Sequence, residues 1–207
     1  MNNTTSYTQL DFLRHGEPLG GRKYRGQTDD PLSEKGWTEM RSAVGDARPW
    51  QAIVSSPLSR CRAFAEALAA EMAVPLALED RLKEMAFGAW EGRTPSELKA
   101  EDPDVLFNFK QDPIGARPAG AEDLHGFQSR VAQAFDSMAE TYRGGHVLVV
   151  AHAGVIRMAI CHVLGIPVAH AYRLQVGSAA MARFRLEEKP AGRLAQLLWL
   201  TPGQGKD

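Results

Sequence analysis

The chain has 207 residues, with 24 basic and 25 acidic side chains and a formal net charge of −1. That length predicts one domain over residues 1–207, with a core over about 8–200, long enough to bury most of its apolar surface. A hydrophobic share of 44% and a charged share of 24% exclude a disordered, collagen-like or coiled-coil chain. The balanced charge argues against a nucleic-acid partner but leaves room for a local basic pocket. Two cysteines, Cys61 and Cys161, can build neither a disulfide framework nor a four-cysteine zinc site, so a reduced, cytoplasmic setting is expected. The polar N-terminus lacks a leader pattern, and no apolar run reaches the ~20 residues of a membrane span, so no membrane partner is expected.

In chain order, Leu10 to Leu13 reads as a short strand. A helix follows from about Ser33 to Ala47, with Ser33 as its cap. Ala52 to Ser55 is a second strand, and Pro57 to Met72 a second helix. Thr94-Pro95-Ser96-Glu97 combines a capping box with proline at the first helical position, and Asp102-Pro103 repeats the cap-then-proline signal. Gly115 to Gly120 is the best loop signal. From about Asp123 to Tyr142, apolar residues recur every three or four positions, from Leu124 through Phe127, Val131 and Phe135 to Met138. His146 to Ala151 is apolar enough to be a strand buried on both faces. Gly154 to Leu164 is an apolar helix stopped by Gly165 and Pro167. Met181 to Leu186 and Leu194 to Leu200 form a closing hairpin, with Glu187 to Gly192 as the turn. Strands alternating with helices, then a hairpin, predict an α/β layered domain with at least one antiparallel strand.

Four places carry chemistry. His15 lies in Arg14-His15-Gly16-Glu17, directly after the first strand, and His152 lies in Ala151-His152-Ala153-Gly154, directly after the buried one. Strand, His, Gly, helix therefore occurs twice, and ligands of open α/β sheets bind at the carboxyl ends of strands. Either histidine alone reads equally well as a structural one. After the second strand, Ser55 to Arg62 offers hydroxyls and two arginines near a helix N-terminus, a place that favours anions. Arg60 is the better candidate for a phosphate fork, and Arg62 reads as a solvated helix residue. Glu84, among Met85, Phe87 and Trp90, is a carboxyl that desolvation can turn into a proton donor, although a solvated loop glutamate is the commoner reading of such a site. Together these residues permit attack of a neutral imidazole on phosphorus, charge neutralisation by arginines and a second histidine, and protonation of the leaving oxygen. The scheme uses no metal and no cofactor.

LRHGEP, SSPLSRCRAFAEAL, EMAFGAWEG and VVAHAGVIR, in that order, resemble the histidine phosphatase superfamily, with its phosphoglycerate-mutase-like fold, over about Leu10 to Leu186. The resemblance implies a three-layer α/β/α sandwich with a mostly parallel central sheet and an antiparallel strand. It implies that His15 is the phosphorylated nucleophile, that Arg14, Arg60 and His152 complete the phosphate pocket, and that Glu84 is the proton donor. Gly21, Arg25, Gln27 and Ala153 are the further candidates for contact with phosphate or substrate. The stretches Gly20 to Ser33 and Glu84 to Arg93 look like those of α-ribazole-5′-phosphate phosphatases of cobalamin nucleotide-loop assembly, and like other small phosphatases of the superfamily. The expected partner is a small phosphomonoester, and a homodimer is plausible.

Two departures stand out. Gly21 occupies the position where many relatives carry a phosphate-contacting Asn, which leaves Arg22 or Arg25 as substitutes. Gly120-Ala121-Glu122-Asp123 replaces a Gly-Gly-Glu-Ser motif. Three alternatives remain: a phosphoglycerate mutase, for whose middle insertion the short Glu91 to Glu122 segment leaves little room, a broad-specificity phosphatase, and an inactive phosphate-binding scaffold. A metal hydrolase using Asp11, Glu17 and the two histidines lacks any supporting ligand motif. Arg183 and Arg185 read as the solvent face of a strand, with Arg183 able to point to the site.

Overall fold

The apolar runs become the interior of one six-stranded sheet. The computed structural model describes residues 7–204. Its strands are β1 (Tyr7–Arg14), β2 (Ala52–Ser55), β3 (Leu76–Leu78), β4 (His146–Ala151), β5 (Met181–Lys189) and β6 (Gly192–Leu200), in spatial order β3-β2-β4-β1-β5-β6. The first four in that order are mutually parallel; β5 runs antiparallel to β1 and to β6. The helices are α1 (Glu34–Val44), α2 (Ser59–Met72), α3 (Pro95–Glu101), α4 (Val105–Gln111), α5 (Leu124–Thr141) and α6 (Ala153–Leu164).

Side chains alternate across the strands, so each run feeds two cores. Ala52, Val54, Val147 and Val149 pack with Phe127, Val131 and Phe135 of α5 and with α6. Ile53, Leu148 and Val150 pack with Met40 of α1 and Phe64 and Leu68 of α2 on the opposite face. The result is the expected three-layer sandwich. Caps fall where the sequence places them. Ser33 accepts from the Gly36 N–H, Thr94 and Glu97 close a capping box, Asp123 accepts from the Gly126 N–H, and Gly165 ends α6 at φ +65°.

Two expectations are corrected, and one strand was not anticipated. The Asp102-Pro103 pair does not open a helix: Asp102 accepts the Asp104 N–H at 3.0 Å, making a turn, and α4 starts at Val105. The hairpin turn is shorter than Glu187 to Gly192, because the ladder continues until Lys189 faces Gly192. β3, only three residues after Pro75, gave no periodicity to read.

The connections give the sheet its working edge. After β1 the chain leaves through α1 toward β2; after β4 it leaves through α6 toward β5, on the other side of β1. Neighbouring strands whose connections diverge leave a crevice at their carboxyl ends. Arg14 and Ala151 are register partners there, and the next residues are His15 and His152.

Candidate active site

The His15 N–H bonds to the Ala151 carbonyl at 2.9 Å, which prolongs the β1–β4 ladder by one residue. Its ring Nδ1 lies 2.7 Å from the Gly16 carbonyl. A carbonyl only accepts, so Nδ1 carries the proton and Nε2 keeps a lone pair. Burial, then the charges of Arg60 and Arg14, holds the His15 pKa well below the usual 6.5. Gly16 is needed for packing: a Cβ there would lie 2.1 Å from the Gly36 carbonyl oxygen of α1. The turn therefore rests backbone against backbone on that helix.

His152 caps the start of α6 and is fully buried. Its ring stands edge-on to that of His15, with centroids 5.2 Å apart, and its Nε2 lies 2.8 Å from Ser56 Oγ. Burial, then the Arg60 and His15 charges, lowers its pKa well below 6.5 as well. His152 stands behind His15 rather than on the cavity wall, which Ala153 reaches instead.

Arg60, in the first turn of α2, is 1% exposed and donates to the Thr28 carbonyl at 2.8 Å and the Gly26 carbonyl at 2.7 Å. Its Nε is buried with no acceptor. Arg62, by contrast, is exposed beside Glu66. Arg14 donates to the Val176 carbonyl. Arg25 is buried, bonded to Asp30 at 2.8 Å and to the Leu19 and Gly21 carbonyls at 2.7 Å each, so it braces the loop that carries Gly21. Gly21 itself has φ +70° and open space beside it.

Glu84 reaches the same cavity. Its Oε2 accepts the Gly154 N–H at 3.1 Å, at the start of α6, and its Oε1 accepts the Met85 N–H at 2.9 Å. A Cβ at 154 would come within 2.2 Å of Glu84 Oε1, so a larger residue there would push the Glu84 carboxyl from its place. Gln27 lies beside the cavity, where its amide donates to the Glu84 carbonyl at 3.5 Å.

The cavity holds about 260 Å³. Arg14, His15, Arg60 and Glu84 lie on its wall, Tyr24, Phe87 and Tyr172 form an aromatic side, and Arg22, Lys23 and Lys110 supply further positive charge. Among the described residues, Arg22 and Lys110 have neither a hydrogen-bond nor an ion-pair partner. The wall also includes residues that sequence reasoning missed, Lys110, Tyr172, Ser178 and Gln204. Ser178 and Gln204 pair through two backbone hydrogen bonds, Ser178 N to Gln204 O at 3.0 Å and the reverse at 2.7 Å. Glu39, also missed, is buried on α1 and accepts from the Glu17 N–H and the Ser178 hydroxyl. A carboxylate on the inward face of an amphipathic helix was the available signal.

Arg183 does not point to the site. It grips the buried Asp11 with two hydrogen bonds, at 2.7 and 2.8 Å, and stacks on Trp199. Asp11 also receives His146 at 2.9 Å and Trp50 at 2.8 Å. Burial raises its pKa, but these hydrogen bonds outweigh burial and leave it below the usual carboxylate range. Asp11 is therefore committed elsewhere. Among the described residues, no group of three or more His, Cys, Asp or Glu is placed to hold a metal ion, and no helix is long and apolar enough to cross a membrane.

A parallel-sheet crevice holding two strand-end histidines, buried arginines and a carboxyl is the architecture of a phosphoryl-transfer site. Residues 10–195 match the family model of the histidine phosphatase superfamily (branch 1). The chain belongs to that superfamily. A bifunctional protein of Mycobacterium tuberculosis is 34% identical over 90% of this chain, which spans about half (53%) of that relative's length. The candidate phosphoglycerate mutase GpmB of Citrobacter koseri is 28% identical, over 94% of this chain and 89% of its own. Among solved structures, a mycobacterial glucosyl-3-phosphoglycerate phosphatase superposes with a TM-score of 0.81 at 26% identity, covering 93% of this chain and 97% of that one. A candidate alpha-ribazole-5'-P phosphatase of Escherichia coli shares the fold, with a TM-score of 0.75 at 24% identity over 97% and 99% of the two chains.

Proposed function

We propose that this chain is a phosphomonoesterase that works through a phosphohistidine at His15, without a metal. The observation that carries the reading is the His15 Nδ1 to Gly16 carbonyl bond, which leaves Nε2 as a neutral nucleophile at the cavity. Nε2 attacks phosphorus while the P–O bond to the alcohol breaks, and the Glu84 carboxylic acid gives its proton to the departing oxygen. Water, deprotonated by the Glu84 carboxylate, then attacks the phosphohistidine, releasing inorganic phosphate and restoring both residues. Arg14 and Arg60 are fixed to main-chain carbonyls, so their charge is in place before the phosphoryl oxygens arrive. The unpartnered buried Nε of Arg60 is a donor kept for an anion. Phosphate release should survive EDTA and vanish in His15→Ala; retained activity in that variant overturns the mechanism. Lack of acid-labile phosphate on His15 after exposure to a reactive phosphoryl donor would favour an inactive scaffold.

For the substrate, we propose α-ribazole-5′-phosphate, in cobalamin nucleotide-loop assembly, on the resemblance of Gly20 to Ser33 and Glu84 to Arg93. The aromatic side of Tyr24, Phe87 and Tyr172 offers faces for a base. A second reading is favoured by the unpartnered Arg22 and Lys110, which suit an alcohol part carrying a further anion, as in phosphoglycerates and glucosyl-3-phosphoglycerate. A kcat/KM panel over α-ribazole phosphate, phosphoglycerates and sugar phosphates separates them. Equal rates on all would remove both in favour of a broad-specificity enzyme, and turnover only with a bisphosphoglycerate primer would indicate a mutase.

A further inference from the structure

We infer that Arg130 is a positioning residue for the Glu84 proton donor, an inference that rests on the role proposed for Glu84. Arg130 projects from α5, well outside the four motifs, and does not line the cavity. All five of its guanidinium N–H donors are engaged. Nη1 donates to the carbonyls of Arg81 at 2.6 Å and Lys83 at 2.7 Å, and Nη2 to that of Glu84 at 3.2 Å. The remaining two go to Glu122, Nε to Oε1 at 2.7 Å and Nη2 to Oε2 at 2.9 Å. The guanidinium also lies over the Phe127 ring, 4.6 Å from its centroid.

Three of the four carbonyls from 81 to 84 are thus held by one side chain. That segment starts within a single 3₁₀ turn, Asp80–Leu82, and has no regular structure at Lys83 and Glu84. Glu122 closes the arrangement from the far side: its N–H donates to the Ala86 carbonyl at 2.9 Å, and its Oε2 accepts the Ala86 N–H at 3.3 Å. Glu84 is therefore fixed at both ends. Arg130 sets where its main chain starts, and the Gly154 and Met85 N–H groups set where its carboxyl ends. This assigns a task to Glu122, which survives in the altered Gly120-Ala121-Glu122-Asp123 stretch: it orients Arg130, while Asp123 caps α5.

Lysine at 130 would keep the charge but could not span three carbonyls and a carboxylate with a planar fork. A shift of about 1 Å in a catalytic group costs on the order of 100-fold, and it costs most where the proton matters most. A phenolate such as p-nitrophenolate leaves without protonation; an alkoxide does not. The experiment compares the single-turnover rate of His15 phosphorylation, the step before water attacks, by p-nitrophenyl phosphate and by glycerol phosphate for wild type, Glu84→Gln, Arg130→Lys and Glu122→Gln, with thermal melts of each. The expected result is a loss of about 10- to 100-fold on glycerol phosphate in Arg130→Lys, with p-nitrophenyl phosphate within about three-fold, following the pattern of Glu84→Gln. Glu122→Gln, which leaves the carbonyl bonds in place, should show the same selectivity more weakly and carries the test if Arg130→Lys does not fold. Equal losses on both substrates in the 130 and 122 variants, or none, would overturn the inference. A selective loss in Glu84→Gln alone would overturn it while sparing the Glu84 assignment; no selective loss in any variant would overturn both.

Discussion

His15 and His152 follow register-paired residues of adjacent parallel strands, and their rings meet edge to face at 5.2 Å. Both are buried beside Arg60, so both stay neutral to a pH well below 6.5, burial being the larger cause in each. The histidines therefore limit activity only on the acid side, when acid protonates the pair. Stability has a related dependence with a wider window. As pH falls below about 6.5 the unfolded histidines take up protons that the folded ones refuse, so the unfolded state gains. A melting series from pH 8 to pH 5 should show the transition temperature falling from about pH 6.5 downward, and less steeply in His15→Asn. A flat series in the wild type would contradict the burial argument.

Arg60→Lys keeps the positive charge but loses the fork that ties α2 to the Gly26 and Thr28 carbonyls. The expected effect is a fall in kcat/KM of about 100-fold, with a cooperative melt retained. Phosphate-release kinetics alongside differential scanning fluorimetry would show it. A loss below three-fold would mean that the geometry of the fork is dispensable.

Gly36→Ala tests the seat of the nucleophile turn. The added methyl would lie 2.2 Å from the Glu17 carbonyl oxygen and 2.8 Å from its nitrogen, both main-chain atoms that cannot swing aside. A destabilisation of about 1–3 kcal/mol is expected, read from chemical denaturation, together with slower phosphorylation of His15. Unchanged stability would show that the turn can retreat from α1.

Arg22→Ala and Lys110→Ala address the rim. Both residues are exposed, so each substitution should raise KM by about two- to five-fold for a substrate with a second anion, such as 3-phosphoglycerate. p-Nitrophenyl phosphate should be unaffected, and added salt should erase the difference. Equal KM changes on both substrates would place these cations in general phosphate attraction instead.

What was legible in the sequence was whatever chemistry and structure put next to each other in the chain. His15 and His152 each follow a strand and precede a glycine, Arg60 opens a helix, and Thr94 and Asp123 carry their own capping partners. What stayed hidden depends on contacts made only after folding. Nothing near Arg130 in the chain signals the Arg81 to Glu84 carbonyls, and Lys110 and Gln204 reach the cavity from the end of α4 and from beyond β6. Arg183 was misjudged because alternation along β5 shows which face a side chain takes, not that a buried Asp11 waits on the neighbouring strand.

The pairing of Ser178 with Gln204 has a practical side. Gln204 sits on the cavity wall, so a fluorophore attached at that position would lie where substrate binds. Tyr7 lies at the opposite end of β1 from Arg14, about 23 Å away along an extended strand. A label at Tyr7 would leave that wall clear, whereas kinetics measured with a label at Gln204 would report the label as much as the enzyme.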